Sequence, residues 1–177
     1  DAALILERYA DAEPIVEAMI RFLAPVPEDP TSTHRLPRST DLVLLTNGIG
    51  GMARLGVDLG HVNSKYDCVL GANLHPNVPV DRHVLVKRLR VWVNAAGFLS
   101  PLNFQSLDVF EPGPPACWRL VANAGDGRSV EIEIRAEMPA GRNATAFHFR
   151  RPRSAPTRGN PLPADADVRL TVRVDIE

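Results

Sequence analysis

The sequence predicts an antiparallel β-sandwich with a helix at its N-terminal end. From residue 41 to the end of the chain, apolar and polar residues alternate with period two in about eight segments, the pattern of strands that bury one face and wet the other. Clusters of Gly, Pro, Asn and Asp separate these segments at short intervals, as antiparallel hairpins require. Helical spacing of apolar residues occurs only near the N-terminus, whereas a sheet covered by helices on both faces needs it between strands.

Residues 1–27 form the expected helical segment. Asp11 caps it, Pro14 is tolerated in its first turn, and Ala12, Ile15, Val16, Met19, Ile20 and Leu23 make an apolar stripe at helical spacing. Pro25 and Pro27 end it. The stripe is expected to pack on the sheet or a neighbouring chain, since a membrane-surface role needs a basic polar face. Residues 28–40, rich in Pro, Ser and Thr, read as a linker or surface loop, and residues 41–177 as the β-sandwich domain.

The stretch Asp41 to Leu74 organises that domain. An apolar run, Leu42 to Leu45, breaks at Thr46-Asn47-Gly48 and passes Gly50-Gly51. Ala53, Leu55, Val57, Leu59 and His61 then share one strand face. After a connection at Val62-Asn63-Ser64, Tyr66, Cys68, Leu70, Ala72 and Leu74 share another, which assigns Tyr66 to an apolar face and a core role. The glycines are explained by positive φ and close backbone approach.

Pro76 and Pro79 mark a loop, and a long strand runs from His83 to Val93 with Arg88, Arg90 and Trp92 on its less apolar face. Asn94 to Pro115 reads as short strands and loops. Trp118 to Asn123 and Arg128 to Met138 flank Gly125-Asp126-Gly127 as a hairpin, with Val130, Ile132, Ile134 and Ala136 dry and Glu131, Glu133, Arg135 and Glu137 on a charged face. Asn143 to Arg150 is a further strand, and Arg150 to Pro163 a proline-rich connection. Val168, Leu170, Val172, Val174 and Ile176 alternate with Arg169, Thr171, Arg173 and Asp175 until the pattern stops at Glu177. With Asp1 in place of an initiator methionine, the chain reads as a piece cut from a longer protein.

The run LLTNGIGG, then KYDCVLGANL, then PVDRHVLVKRLRVWV resembles the N-terminal domain of bacterial and archaeal glycogen debranching enzymes of the amylo-α-1,6-glucosidase type. Thr46, Asn47, Gly48, Ile49, Gly50 and Gly51 match the first motif of that family, and Tyr66 matches the aromatic of the second. Pro79, Arg82, Val84, Leu85 and Lys87 fit the third. Ser64-Lys65-Tyr66-Asp67-Cys68 stands where the family has Arg-Arg-Tyr-His-Gly. The resemblance covers residues 41–177 and implies that the catalytic carboxylates lie in a following (α/α)6 barrel.

Composition sets further bounds. A chain of 177 residues fits one domain with a real core. Its 20 basic and 21 acidic residues leave a formal charge of -1, so no global attraction to nucleic acid or anionic membrane is expected. No apolar run reaches the roughly 18 residues that a spanning helix needs. Cys68 and Cys117 are too few for a zinc ribbon or disulfide framework, Cys68 reads as a buried thiol, and a reducing, cytoplasmic location is expected. Asn143-Ala144-Thr145 is a formal glycosylation sequon that carries little weight without a secretory signal.

The expected site binds; it does not catalyse. Asp58, Asp67, Asp81 and Asp108 read as turn or strand carboxylates, whereas glycoside hydrolysis needs two that flank the bond. His61, His75 and His83 lack metal-ligand spacing, no phosphate loop or nucleophile elbow is present, and no metal or cofactor is expected. Sugars are held by an aromatic face and planar polar groups, which makes Asn47, Lys65, Tyr66, Asp67 and Trp92 the substrate-binding candidates, with Trp118 a further aromatic. The resemblance names the partners: an α-glucan, and the catalytic barrel of the same parent chain. The alternative is a stand-alone carbohydrate- or protein-binding sandwich.

Overall fold

The computed structural model describes residues 2–8, 11–20, 37–75, 82–153 and 155–176. The chain divides into two units, Asp1–His34 and Arg35–Glu177. In the first, β1 (Ala2–Arg8) pairs antiparallel with β2 (Asp11–Ile20). Over 2–8 and 11–20 this corrects the expected helix; Leu23, Pro25 and Pro27 of that expectation lie outside the described residues. A short apolar run satisfies either period, and Ala2–Arg8 supplies backbone partners for the segment from Asp11, so its N–H and C=O groups are paired between strands. Most of the expected linker, 28–36, and the loop at 76–81 with Asp81 lie outside the described residues.

The second unit is mainly β. One six-stranded sheet runs in the order β13 (Val168–Ile176), β6 (Arg82–Ala95), β5 (Cys68–Asn73), β4 (Met52–Gly56), β3 (Leu42–Thr46), with β7 (Phe98–Leu102) also on β6. The five-stranded sheet runs β11 (Ala146–Arg150), β10 (Arg128–Glu137), β9 (Ala116–Asn123), β8 (Leu107–Glu111), with the short β12 (Asn160–Pro161) parallel to β10. The remaining pairs are antiparallel.

Alternation explains which face turns inward. Val43 and Leu45 of β3, Ala53 and Leu55 of β4, and Leu89, Val91 and Val93 of β6 meet Trp118, Leu120, Ile132 and Ile134 from the other sheet in a single buried cluster. One core drawn from two antiparallel sheets is the arrangement of a sandwich. Trp118, a candidate aromatic in the sequence, is completely buried there, its ring centroid 5.2 Å from that of Phe110. The Gly125-Asp126-Gly127 hairpin forms as expected, all three residues at φ between 51° and 76°.

Three local expectations change. The second strand of the central stretch starts at Cys68, and a bulge between Leu70 and Gly71 shifts its phase, so Val69 joins the core cluster while Leu70 is half-buried. Tyr66 therefore leaves the apolar face and stands 60% exposed. The charged face of β10 is not uniformly wet, because Glu131 and Glu133 are buried at 9% and 4% exposure. Replacing Trp118 with Ala empties the largest fully buried side-chain site, and urea denaturation is expected to show a loss of about 3–5 kcal/mol.

Candidate functional site

The glycine turn between β3 and β4 is built around one carboxamide. Asn47 is 2% exposed; its Oδ1 accepts from the backbone N–H groups of Ile49 (3.0 Å) and Gly51 (2.8 Å). Its Nδ2 donates to Arg142 O and to Asn143 Oδ1, both at 2.8 Å. Two acceptor sites and two donors exhaust the hydrogen-bonding capacity of an amide. The glycines answer the same geometry. Gly50 has φ +91°, and a Cβ on Gly51 would collide with the side chains of Asn47 and Asn143.

The loop that receives Asn47 connects β10 to β11. Gly141 N–H donates to Asn47 O at 2.8 Å, and Thr145 Oγ1 donates to Val69 O at 2.6 Å. Asn143 and Thr145, the ends of the formal sequon, thus both hold the second sheet to the first. Sequence reasoning missed Asn143; the available signal was an asparagine beside a glycine-rich turn motif, which needs tertiary context to read.

Asp67 builds a second turn. Its side chain is ion-paired with Arg54 and accepts from the N–H groups of Asn63 (2.6 Å) and Ser64 (2.8 Å). That pinning lifts Tyr66 out of the sheet. Lys65 Nζ lies 5.0 Å from the centre of its ring, and Lys65 O accepts from Lys87 Nζ at 2.8 Å. An exposed aromatic face beside a cation can stack on a ring or a sugar.

Trp92 sits half-buried on the outer face of β6, with the Arg90 guanidinium 6.0 Å from its ring centre. Arg90 is held by Asp175 of β13 at 3.0 Å, and Arg88 and Arg173 share the same carboxylate. Hydrogen bonds from Arg88 and Arg90 bring Asp175 down to about 2. The structure therefore gathers Lys65, Tyr66 and Asp67 in one turn, with Asp67 and Asn47 spent on internal bonds. Trp92 belongs to the arginine cluster.

Asp58, Asp108 and Glu133 make internal contacts as well. Asp58 accepts from Gly60 N–H (3.0 Å) and Phe104 N–H (3.3 Å), and Asp108 lies 4.0 Å from Arg158. Glu133 lies between Arg135 (2.9 Å) and Arg150 (3.0 Å); burial alone would raise its carboxyl, but these hydrogen bonds outweigh burial and hold it below the usual range. Among the described residues, no three His, Cys, Asp or Glu side chains gather as metal ligands.

The family model described as glycogen debranching enzyme N terminal matches residues 42–177, the whole span from β3 to β13. The chain belongs to the glycogen debranching enzyme N-terminal family. Neither a curated protein nor a solved structure matches it. Within this debranching-enzyme domain, the TNGIGG motif forms the turn at the sandwich corner, and its Asn47 faces inward.

Two outcomes follow from this debranching-enzyme geometry. Asn47→Ala removes the partner of two N–H groups, the Arg142 carbonyl and the Asn143 side-chain carbonyl, and is expected to cost about 2–3 kcal/mol in chemical denaturation, the range for orphaned buried polar groups. Asp175 is lowered on folding, so its contribution is complete above its ordinary value of 3.8 and is lost as pH falls through about 2. The stability gap between wild type and Asp175→Asn should therefore stay constant from neutral pH to about pH 4 and close below it.

Proposed function

We propose that this domain is the non-catalytic N-terminal β-sandwich of a cytoplasmic glycogen-debranching glycoside hydrolase of the amylo-α-1,6-glucosidase type. It packs on a catalytic (α/α)6 barrel of the same parent chain and helps to hold α-glucan. Family membership supports the debranching-enzyme part of this reading, and the observation that carries the packing is the inner face of β13. Leu170, Val172 and Val174 lie opposite Val93, Val91 and Leu89 of β6, so they continue the core-facing side of the sheet. They are nevertheless 36%, 42% and 48% exposed, and Ile176 is 80% exposed. A contiguous apolar row left in water marks an interface.

The glucan-binding part of the reading rests on Tyr66 and Lys65, which present an aromatic face and a cation on a turn fixed by Asp67. The same exposed pair favours the second reading, a self-sufficient carbohydrate-binding module, which needs no barrel for affinity. Both readings leave this chain without catalytic residues, cofactor or metal.

Val172→Glu with Val174→Glu separates the two. Both side chains are exposed, so the thermal midpoint of the domain is expected to hold, each substitution changing stability by about 0.5 kcal/mol or less. Binding to the barrel supplied as a separate polypeptide should weaken at least about tenfold in calorimetry, as loss of an interface centre does. Unchanged affinity for the barrel would contradict the docking face.

A further inference from the structure

The outer face of β10 carries one carboxylate that nothing in the established fold uses. Glu133 is neutralised by Arg135 and Arg150, but Glu131, two residues back on the same face, receives no hydrogen bond or ion pair from the described residues. It is nine-tenths buried all the same. Its stem is covered while its carboxylate oxygens keep access to solvent, so the charged end is left for water or a ligand to satisfy.

A segment that includes residues 151–153 and 155–164 lines a cavity together with Glu131. The Arg151 guanidinium donates to the carbonyls of Leu162 (3.0 Å), Pro163 (2.6 Å), Ala164 (3.3 Å) and Ala166 (3.2 Å), which curls the segment on itself. Leu162 N–H to Ser129 O and Asn160 N–H to Gly127 O, both 2.9 Å, fasten it along β10. Between the segment and the strand lies a cavity of about 820 Å³, lined by Glu131, Arg153 and the rings of Pro152, Pro156, Pro161 and Pro163. Small-molecule sites span about 300–1,000 Å³.

We propose that this cavity binds a neutral polyhydroxylated ligand, a short saccharide, whose vicinal hydroxyls donate to Glu131 while Arg153 donates to a hydroxyl oxygen and the proline rings pack against the sugar C–H face. The chemistry of the two polar groups selects the class. Arg153 has no partner among the described residues and opposes a cation, and Glu131 opposes an anion. A ligand that is donor and acceptor at once satisfies both. Burial pushes the Glu131 carboxyl up; Arg119 of β9 opposes this, Asp108 of β8 and Glu133 add to it, and Arg150 of β11 opposes it, with the net direction upward. Hydroxyl donors to the carboxylate would favour its charged form. That the saccharide is an α-glucan rests on the reading given under Proposed function; the cavity and its polyol chemistry do not.

Titrating the whole chain with maltotriose, isomaltotriose, cellotriose and putrescine tests this by calorimetry and backbone-amide NMR. An α-glucan probe is expected to shift the amides of Ser129, Glu131 and Leu162. The near-isosteric Glu131→Gln should weaken binding about tenfold, as replacing a charged acceptor does, and Arg153→Ala should also weaken it. If cellotriose alone binds there, the cavity assignment stands and the α-glucan reading falls. If maltotriose moves only the Lys65 and Tyr66 amides, the α-glucan reading stands and the cavity assignment falls. No shift at these residues with any saccharide, equal affinity in Glu131→Gln, or occupancy by putrescine overturns the proposal.

Discussion

One buried carboxamide joins the two sheets at a corner of the sandwich. Asn47 takes four hydrogen bonds, two within its own glycine turn and two to the loop between β10 and β11. Because that loop also reaches Val69 through Thr145, the end of the second sheet is tied to two strands of the first. The motif Thr46 to Gly51 is therefore a constraint on backbone approach: Gly51 has no side chain because Asn47 and Asn143 occupy its space. Sheets that meet over an apolar core can slide, since burial is non-directional; the directional bonds at the corner fix where they meet.

With the corner fixed, the outer faces take different roles. On β6 and β13, Asp175 collects Arg88, Arg90 and Arg173, which orders the outer side of the edge strand while its inner side stays apolar and open. On β10, Arg135 and Arg150 neutralise Glu133, and the segment held by Arg151 closes over Glu131. The turn at Asp67 offers a third surface, an exposed tyrosine next to a lysine. The sandwich thus forms a frame, and the surfaces proposed for recognition lie on a turn, on the outer face of β10 and on the open inner face of β13.

Much of this was legible in the chain. Strict alternation placed β4, β10 and β13, an apolar run placed β3, and the Gly125-Asp126-Gly127 turn fixed the hairpin of β9 and β10, because side-chain period and positive φ are local properties. What failed depended on distant partners. The segment from Asp11 to Ile20 fits a helical stripe until Ala2–Arg8 is considered as its strand partner. Tyr66 looked buried because a regular strand was extended back through a turn that Asp67 and Arg54 create. Asn47 was legible as important, but its inward direction is set by Arg142 and Asn143, 95 and 96 residues away. Glu131 looked solvated because its neighbours across the cavity, Arg151 to Arg153 and Pro161 to Ala164, are distant in sequence.

The central claim is that this domain recognises glucan and leaves hydrolysis to another part of its parent enzyme. It is tested most directly by incubating the purified chain with linear and α-1,6-branched maltooligosaccharides and following amide shifts and free glucose in the same sample. The account predicts localised shifts with no glucose released. Glucose release that scales with the concentration of this chain would contradict it.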